Sequence, residues 1–478
     1  MPTVVKQRLL DILNDVPETS FDLVSFYLDA DIAPTAKQQK ALFSLKHEIE
    51  TLPLALPDFP RQLDQLEHWM IQHEQQAQLE FEYYLKRRAW GQPREYFHCL
   101  SDAYEFLIKI APTQRAQAAW LYSFSQHWDD RRYTELIQLY LQALAYGHTQ
   151  QHQLYQFNAL LETLQLDNFV LGLEDGYFHQ AAIQLALAYC PTDFMPLTLG
   201  FHIGKHLCSL HQLIIAHELK ELGIHTRCFQ PQQRSASRHT PVLHAIASLA
   251  PDEKQQAQYL RLIQLGYALS QQGMNEEKIL QRLHLHDIIQ KIFQHKALMG
   301  KFIHDNKCIF TNRSINQWLE TVEGVDGFIQ QLLETDWIRL GQDPEQSKFW
   351  RLIHQQESQM FGLFNRTEQQ FIYDWILGDA AVQHPAPSAL QSTSDHFKTR
   401  TTLIIWPNWS WKRFSSNTPR PHLLTTKSGS YCLIWPRLNL PAMPDAGVPS
   451  NTARPFSRRC RRRSTQCIIK VNYGEQQQ

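Results

Sequence analysis

Through roughly the first 380 residues, apolar side chains recur at the three- and four-residue spacing of a helix. Glycine and the β-branched residues are scarce there, and helix-favouring Leu, Gln and Ala dominate. A chain patterned in this way buries its apolar side chains by packing amphipathic helices on one another, so the expected class is all-α. Residues 60–88 predict one long helix, with Pro60 near its first turn and Gly91-Gln92-Pro93 ending it. Shorter helices are expected at about 95–110, 113–128, 131–146 and 150–164, and another near 198–221 with Gly223 as its cap. Further amphipathic helices are expected from Pro251 to Leu377. No 34- or 40-residue self-similarity of the kind that marks helical arrays is present.

The periodicity stops at His384. Ten of the 24 prolines follow that point, together with Trp406, Trp409, Trp411 and Trp435. From His384 onward there are fourteen Lys and Arg against three acids, Asp395, Asp445 and Glu475. The net charge of −1 therefore joins an acidic body to a basic tail. The run Arg458-Arg459-Cys460-Arg461-Arg462-Arg463, preceded by tryptophans, suits phosphate contact with base stacking, or contact with anionic lipid; its bland reading is a solvated extension. A change of reading frame after about Thr399 would produce the same abrupt break.

With 478 residues, 43% of them apolar and 19% charged, the chain has enough apolar surface for a substantial core and too little charge for a disordered protein. Eight cysteines without a C-x-x-C pair argue against a zinc ribbon or a small disulfide framework and suit a reducing compartment. The N-terminal MPTVVKQRLLDILNDVPE lacks the apolar core of a signal peptide, and no run approaches the ~18 apolar residues that span a bilayer. The expected setting is the cytoplasm.

The chemistry-bearing stretch runs from Gln142 to His239 and carries His152, His202, His206, His211, His217 and His239. His202 and His206 stand four apart on one helix face, a spacing that binds zinc or iron when a third ligand faces it. His217, Glu218, Lys220 and Glu221 read as a solvated edge, with His217 and Glu221 paired at i, i+4.

Three segments recur in a recognisable order: QALAYGHTQQHQLY from Gln142, FMPLTLGFHIGKHLCSLHQLIIAHELKELGI from Phe194, and SKFWRLIHQQESQMFGLFNRTE from Ser347. Together they resemble the iron-containing redox enzyme family, bacterial proteins whose haem-oxygenase-like helical domain holds one or two irons instead of haem. The likeness covers about residues 95–377. It implies a haem-oxygenase-like multi-helix bundle with flanking helices, and Fe(II)-dependent oxidation of a small organic substrate by O2. Segments are expected at 1–94 (N-terminal helices), 95–250 (the bundle), 251–383 (C-terminal helices packed on it) and 384–478 (a non-helical basic tail).

The chain departs from the family at its ligands. Gln142 stands where the family has a glutamate, Leu197 follows Pro196 where it has another, and Gln232 and Ala236 replace a His and an Asp ahead of Arg238-His239. What the resemblance leaves as metal ligands is His152 and His239, with Gln142 a weak third and His206 or Glu218 as substitutes. Oxygen-activating non-haem iron needs imidazole and carboxylate together, and a neutral amide is a poorer donor. The alternative is a metal-free helical binding or scaffold protein derived from that family.

Tyr155, Phe157, Phe194 and Phe201 would line a pocket in the enzyme; as aromatics at helical spacing, they read equally as core. Phe349, Trp350, Met360, Phe361 and Phe364 read as packing of the late helices, with Ser347 as an N-cap.

Overall fold

The computed structural model describes residues 19–52, 58–224, 229, 240–249, 253–300, 309–358 and 360–378. His239, Gln232, Ala236 and the basic tail lie outside the described residues. The regular structure of the described residues is helical apart from one two-stranded hairpin, in keeping with the all-α expectation.

Helices α1 (Ser20–Leu28) and α2 (Pro34–Glu50) lead to the long α3 (Leu66–Ala89). Thr19 caps α1, and the Asp175 carboxylate accepts from the N–H groups of Ser20 and Phe21 at 2.9 and 2.8 Å, so a distant loop completes the cap. Gly91, at φ +82°, turns the chain out of α3 as expected. Helix α4 (Leu100–Arg115) is buried over most of its surface and begins where the Asp102 carboxylate reaches back to the N–H groups of His98 and Cys99. It runs on through Pro112, in its last turn, and stops short of the 113–128 helix expected from the sequence. That stretch instead turns at Ala118, with φ +67°, into a 3-10 turn and the short α5 (Tyr122–Ser125).

Next come α6 (Thr134–Ala143), α7 (Gln153–Thr163), α8 (Asp167–Val170), α9 (His179–Ala188), α10 (Met195–His206) and α11 (Leu210–Glu221). They are followed by α12 (Thr240–Leu249), α13 (Glu253–Ser270), α14 (Glu276–Leu280) and α15 (Leu285–Gly300). Strands β1 (Ile309–Phe310) and β2 (Arg313–Ser314) pair antiparallel. The described chain ends in α16 (Ile315–Leu319), α17 (Val322–Glu334), α18 (Lys348–His354) and α19 (Arg366–Leu377). None of the described helices is long and apolar enough to cross a membrane.

Two hydrophobic cores organise these helices. One gathers α1 to α3, Trp120 and Phe124, α9, α10, α12 and α13; the other gathers α4, α7, α8, α11, α14, α15 and α17 to α19. The first core draws on residues from both sides of positions 94 and 250, where segment boundaries were expected; the second, whose members begin at Tyr96, draws on both sides of 250 alone. The interleaving explains why the helix expected over 198–221 is two. Leu207 adopts an extended conformation (φ −66°, ψ 120°), and the Ser209 hydroxyl caps α11 by accepting from the Gln212 N–H. At that break the chain passes from the first core, which holds Ile203 and Leu207, to the second, which holds Ile215 and Leu219.

Helices α10 and α13 meet backbone to backbone. A Cβ on Gly200 would lie 1.9 Å from the Ile263 carbonyl oxygen, and one on Gly266 would lie 1.9 Å from that of Leu197. Only glycine permits this approach.

Candidate functional site

Helices α10 and α11 carry most of the residues that the sequence singles out. Glu218, expected on a solvated edge, is fully buried on α11, and this is a correction. Its Oε1 accepts from the Tyr84 hydroxyl at 2.7 Å and the Glu95 N–H at 2.5 Å. Its Oε2 accepts from the N–H groups of Tyr96 and Phe97 at 3.0 and 2.9 Å. The segment joining α3 to α4 is thus folded around one carboxylate, which satisfies three consecutive amides that burial would otherwise leave without acceptors. Burial, reinforced by the hydrogen bond and the charge of Glu218, drives the Tyr84 hydroxyl far above the usual tyrosine range.

The outer side of α11 does match the surface expectation. His217 Nε2 lies 3.1 Å from Glu221, which also pairs with Arg88 at 2.6 Å. Lys220 is exposed.

His206 lies in the last turn of α10, its ring centroid 4.2 Å from that of His202 and 6.2 Å from that of Trp120. His202 is buried, and its Nδ1 is 3.4 Å from the Trp120 indole N–H. The i, i+4 pair therefore does share a face, and that face is turned toward an indole in the first core.

Gln142 is exposed near the end of α6. His152 is the N-cap of α7: its Nδ1 accepts from the Leu154 N–H at 3.2 Å, and its ring meets Tyr155 edge-on. Burial holds its pKa below the usual histidine value, so the imidazole is neutral at pH 7. Leu197 is fully buried at the contact with α13.

Among the described residues no three His, Cys, Asp or Glu side chains gather as a metal ion requires. Glu218 would have to release four donors to become a ligand, and Gln142 faces solvent. Of the aromatics, Phe157 and Phe201 are fully buried, Phe194 is half-buried and Tyr155 is largely exposed. In the last segment Phe349, Trp350 and Phe364 are core, and Ser347 caps α18 by accepting from the Trp350 N–H, whereas Phe361 is 48% exposed, a correction to its expected packing role.

Reasoning from the sequence missed a polar stripe on α4. Ser101, Glu105 and Lys109 recur every four residues on a largely apolar helix, and all three are buried. Both Glu105 carboxylate oxygens accept from the His284 N–H, at 2.8 and 2.9 Å, and Oε1 also lies 2.5 Å from Lys109 Nζ. Lys109 in turn donates to the Arg282 carbonyl at 2.5 Å. Ser101 gives its N–H and its hydroxyl to Asp374 at 3.0 and 2.7 Å. These contacts fasten α4 to the start of α15 and to α19. The polar spacing of four was the available signal. Burial raises the pKa of both Glu105 and Asp374, against the lowering effect of their hydrogen bonds and, for Glu105, of the Lys109 charge.

No protein-family model, curated protein or solved structure matches this chain.

Proposed function

We propose that this chain is a metal-independent, cytoplasmic binding protein built on a haem-oxygenase-like helical bundle. The observation that carries the reading is the Glu218 carboxylate, whose oxygens are engaged by four donors at 2.5 to 3.0 Å. The loss of acidic side chains at Gln142 and Leu197 supports it, because oxygen-activating iron relies on carboxylates to offset its charge.

The second reading, iron-dependent oxidation of a small organic molecule by O2, draws on His152. Its ring is neutral, and the bond to Leu154 occupies only Nδ1, which leaves Nε2 as the nitrogen for a metal. His239 would have to join it.

One experiment separates the two. Protein purified without oxygen and reconstituted with Fe(II) is assayed for metal beside a His152→Ala, His239→Ala double variant. The binding-protein reading expects no stoichiometric iron in either protein and a melting curve unchanged by chelator. Iron near one or two per chain that the double variant loses would overturn it in favour of the oxidase.

A further inference from the structure

Helix α3 turns Met70, Ala77 and Tyr84 into the molecule, and along its opposite side Leu79, Tyr83, Lys86 and Trp90 are exposed. Leu79, Tyr83 and Trp90 are 52%, 65% and 81% exposed, so large apolar side chains share one outward stripe. Trp90 still belongs to that helix face, because its N–H bonds to the carbonyls of Lys86 and Arg87 at 3.2 and 3.1 Å. The steps along the stripe are four, three and four residues, the seam spacing of a two-helix coiled coil. Within the stripe, Lys86 Nζ lies 5.4 Å from the centroid of the Tyr83 ring.

Charge decides what covers the stripe. Glu80 and Glu82 flank it toward the N-terminus of α3 and Arg87 toward the C-terminus, and all three are exposed. When two copies of α3 lie antiparallel with Leu79 of each against Trp90 of the other, Tyr83 of each falls against Lys86 of the other. Glu80 of each then stands beside Arg87 of the other, so the pairing joins two apolar contacts, two cation–π contacts and two ion pairs. Sliding the copies until Tyr83 meets Leu79 instead sets Glu80 against Glu80 and Glu82 against Glu82, and a parallel pair sets Lys86 against Lys86. We propose that the outward face of α3 is a self-association surface, on which a second copy of this chain pairs antiparallel through Leu79, Tyr83, Lys86 and Trp90. Arg87 also pairs with Glu95 of its own chain at 3.1 Å, and its guanidinium has donors to spare for Glu80 of the second copy. The contact spans about three helical turns, less than the ~1,000 Å² of a stable interface, so the dimer forms with a Kd of about 10–100 µM. The pairing uses none of the residues considered for metal and holds whether or not the chain carries iron.

The test is sedimentation velocity on the full chain over about 1–300 µM, a range that brackets that Kd. The expected result is a sedimentation coefficient that rises with concentration from monomer toward dimer. Leu79→Glu is expected to abolish the rise. Glu80→Arg and Arg87→Glu are each expected to weaken the dimer at least about tenfold, because each sets like charges opposite one another. The chain carrying both changes is expected to recover the original affinity, because the ion pairs are rebuilt in reverse. All three side chains are exposed, and thermal melts check that the variants fold. A monomer throughout the range, which would leave this face to some other protein, overturns the proposal. So does a dimer that Leu79→Glu leaves intact, or a charge-swapped double variant that associates no more tightly than the single ones.

Discussion

Glu218 shows how much one carboxylate can organise. Glu218→Ala leaves three backbone N–H groups and the Tyr84 hydroxyl without an acceptor, and a loss of about 3–5 kcal/mol is expected in denaturant unfolding. Tyr84→Phe, which removes one donor and leaves the three amides in place, should cost about 1–2 kcal/mol. A loss from Glu218→Ala no larger than that from Tyr84→Phe would sink the claim that this carboxylate holds the 95–97 segment. Gln184 presents the opposite case. It is fully buried on α9, and neither its amide oxygen nor its nitrogen meets a partner among the described residues. Gln184→Leu is therefore expected to stabilise the protein by about 1–3 kcal/mol, because it removes a desolvated amide in a position already surrounded by core.

Asp374 adds a pH dependence. Its folded-state pKa is raised by burial above the usual carboxylate value, so the native form takes up a proton that the unfolded chain does not yet bind. Stability from this group is full below the unfolded pKa and is lost as pH rises through the folded one. The expected signature is a melting temperature that falls across that window, with the fall reduced in Asp374→Asn. An unchanged profile in the variant would count against it.

Among the elements, the α10–α13 contact and the end of α3 separate two uses of glycine. Gly200→Ala would drive a Cβ to 1.9 Å from the Ile263 carbonyl oxygen, and relief requires the two helices to part; a cost of about 3 kcal/mol is expected. Gly91→Ala meets nothing within 4 Å, so only its φ of +82° opposes the change, at about 1 kcal/mol. Comparable losses in the two variants would mean that α10 and α13 do not touch as described. The sequence marks the second glycine well, because a helix stop is a local signal of turn residues and lost periodicity. It does not mark the first as a contact, since Gly200 looks like a weak helix former until Ile263 is placed opposite. The break at Leu207 was hidden for a related reason. Ser209 is a competent cap wherever it occurs, and what makes the chain use it is the need to leave one core for the other.

At the scale of the described molecule, two interleaved cores set the surroundings of residues that the sequence lists side by side. His206 faces Trp120 in the first core, Glu218 is drawn into the second by the amides of Glu95 to Phe97, and Gln142 is left on the surface. By itself the sequence determined the all-α class, the end of α3 at Gly91, the cap at Ser347 and the His217–Glu221 surface pair. Each depends on residues within a turn or two of one another, where spacing and capping chemistry act. Only the tertiary structure decided that Glu218 is buried, that α4 carries a polar stripe into the core and that Gly200 touches α13. In each of those cases the partner lies dozens to hundreds of positions away, and whether a side chain is desolvated, bonded or exposed is set by what the fold brings against it.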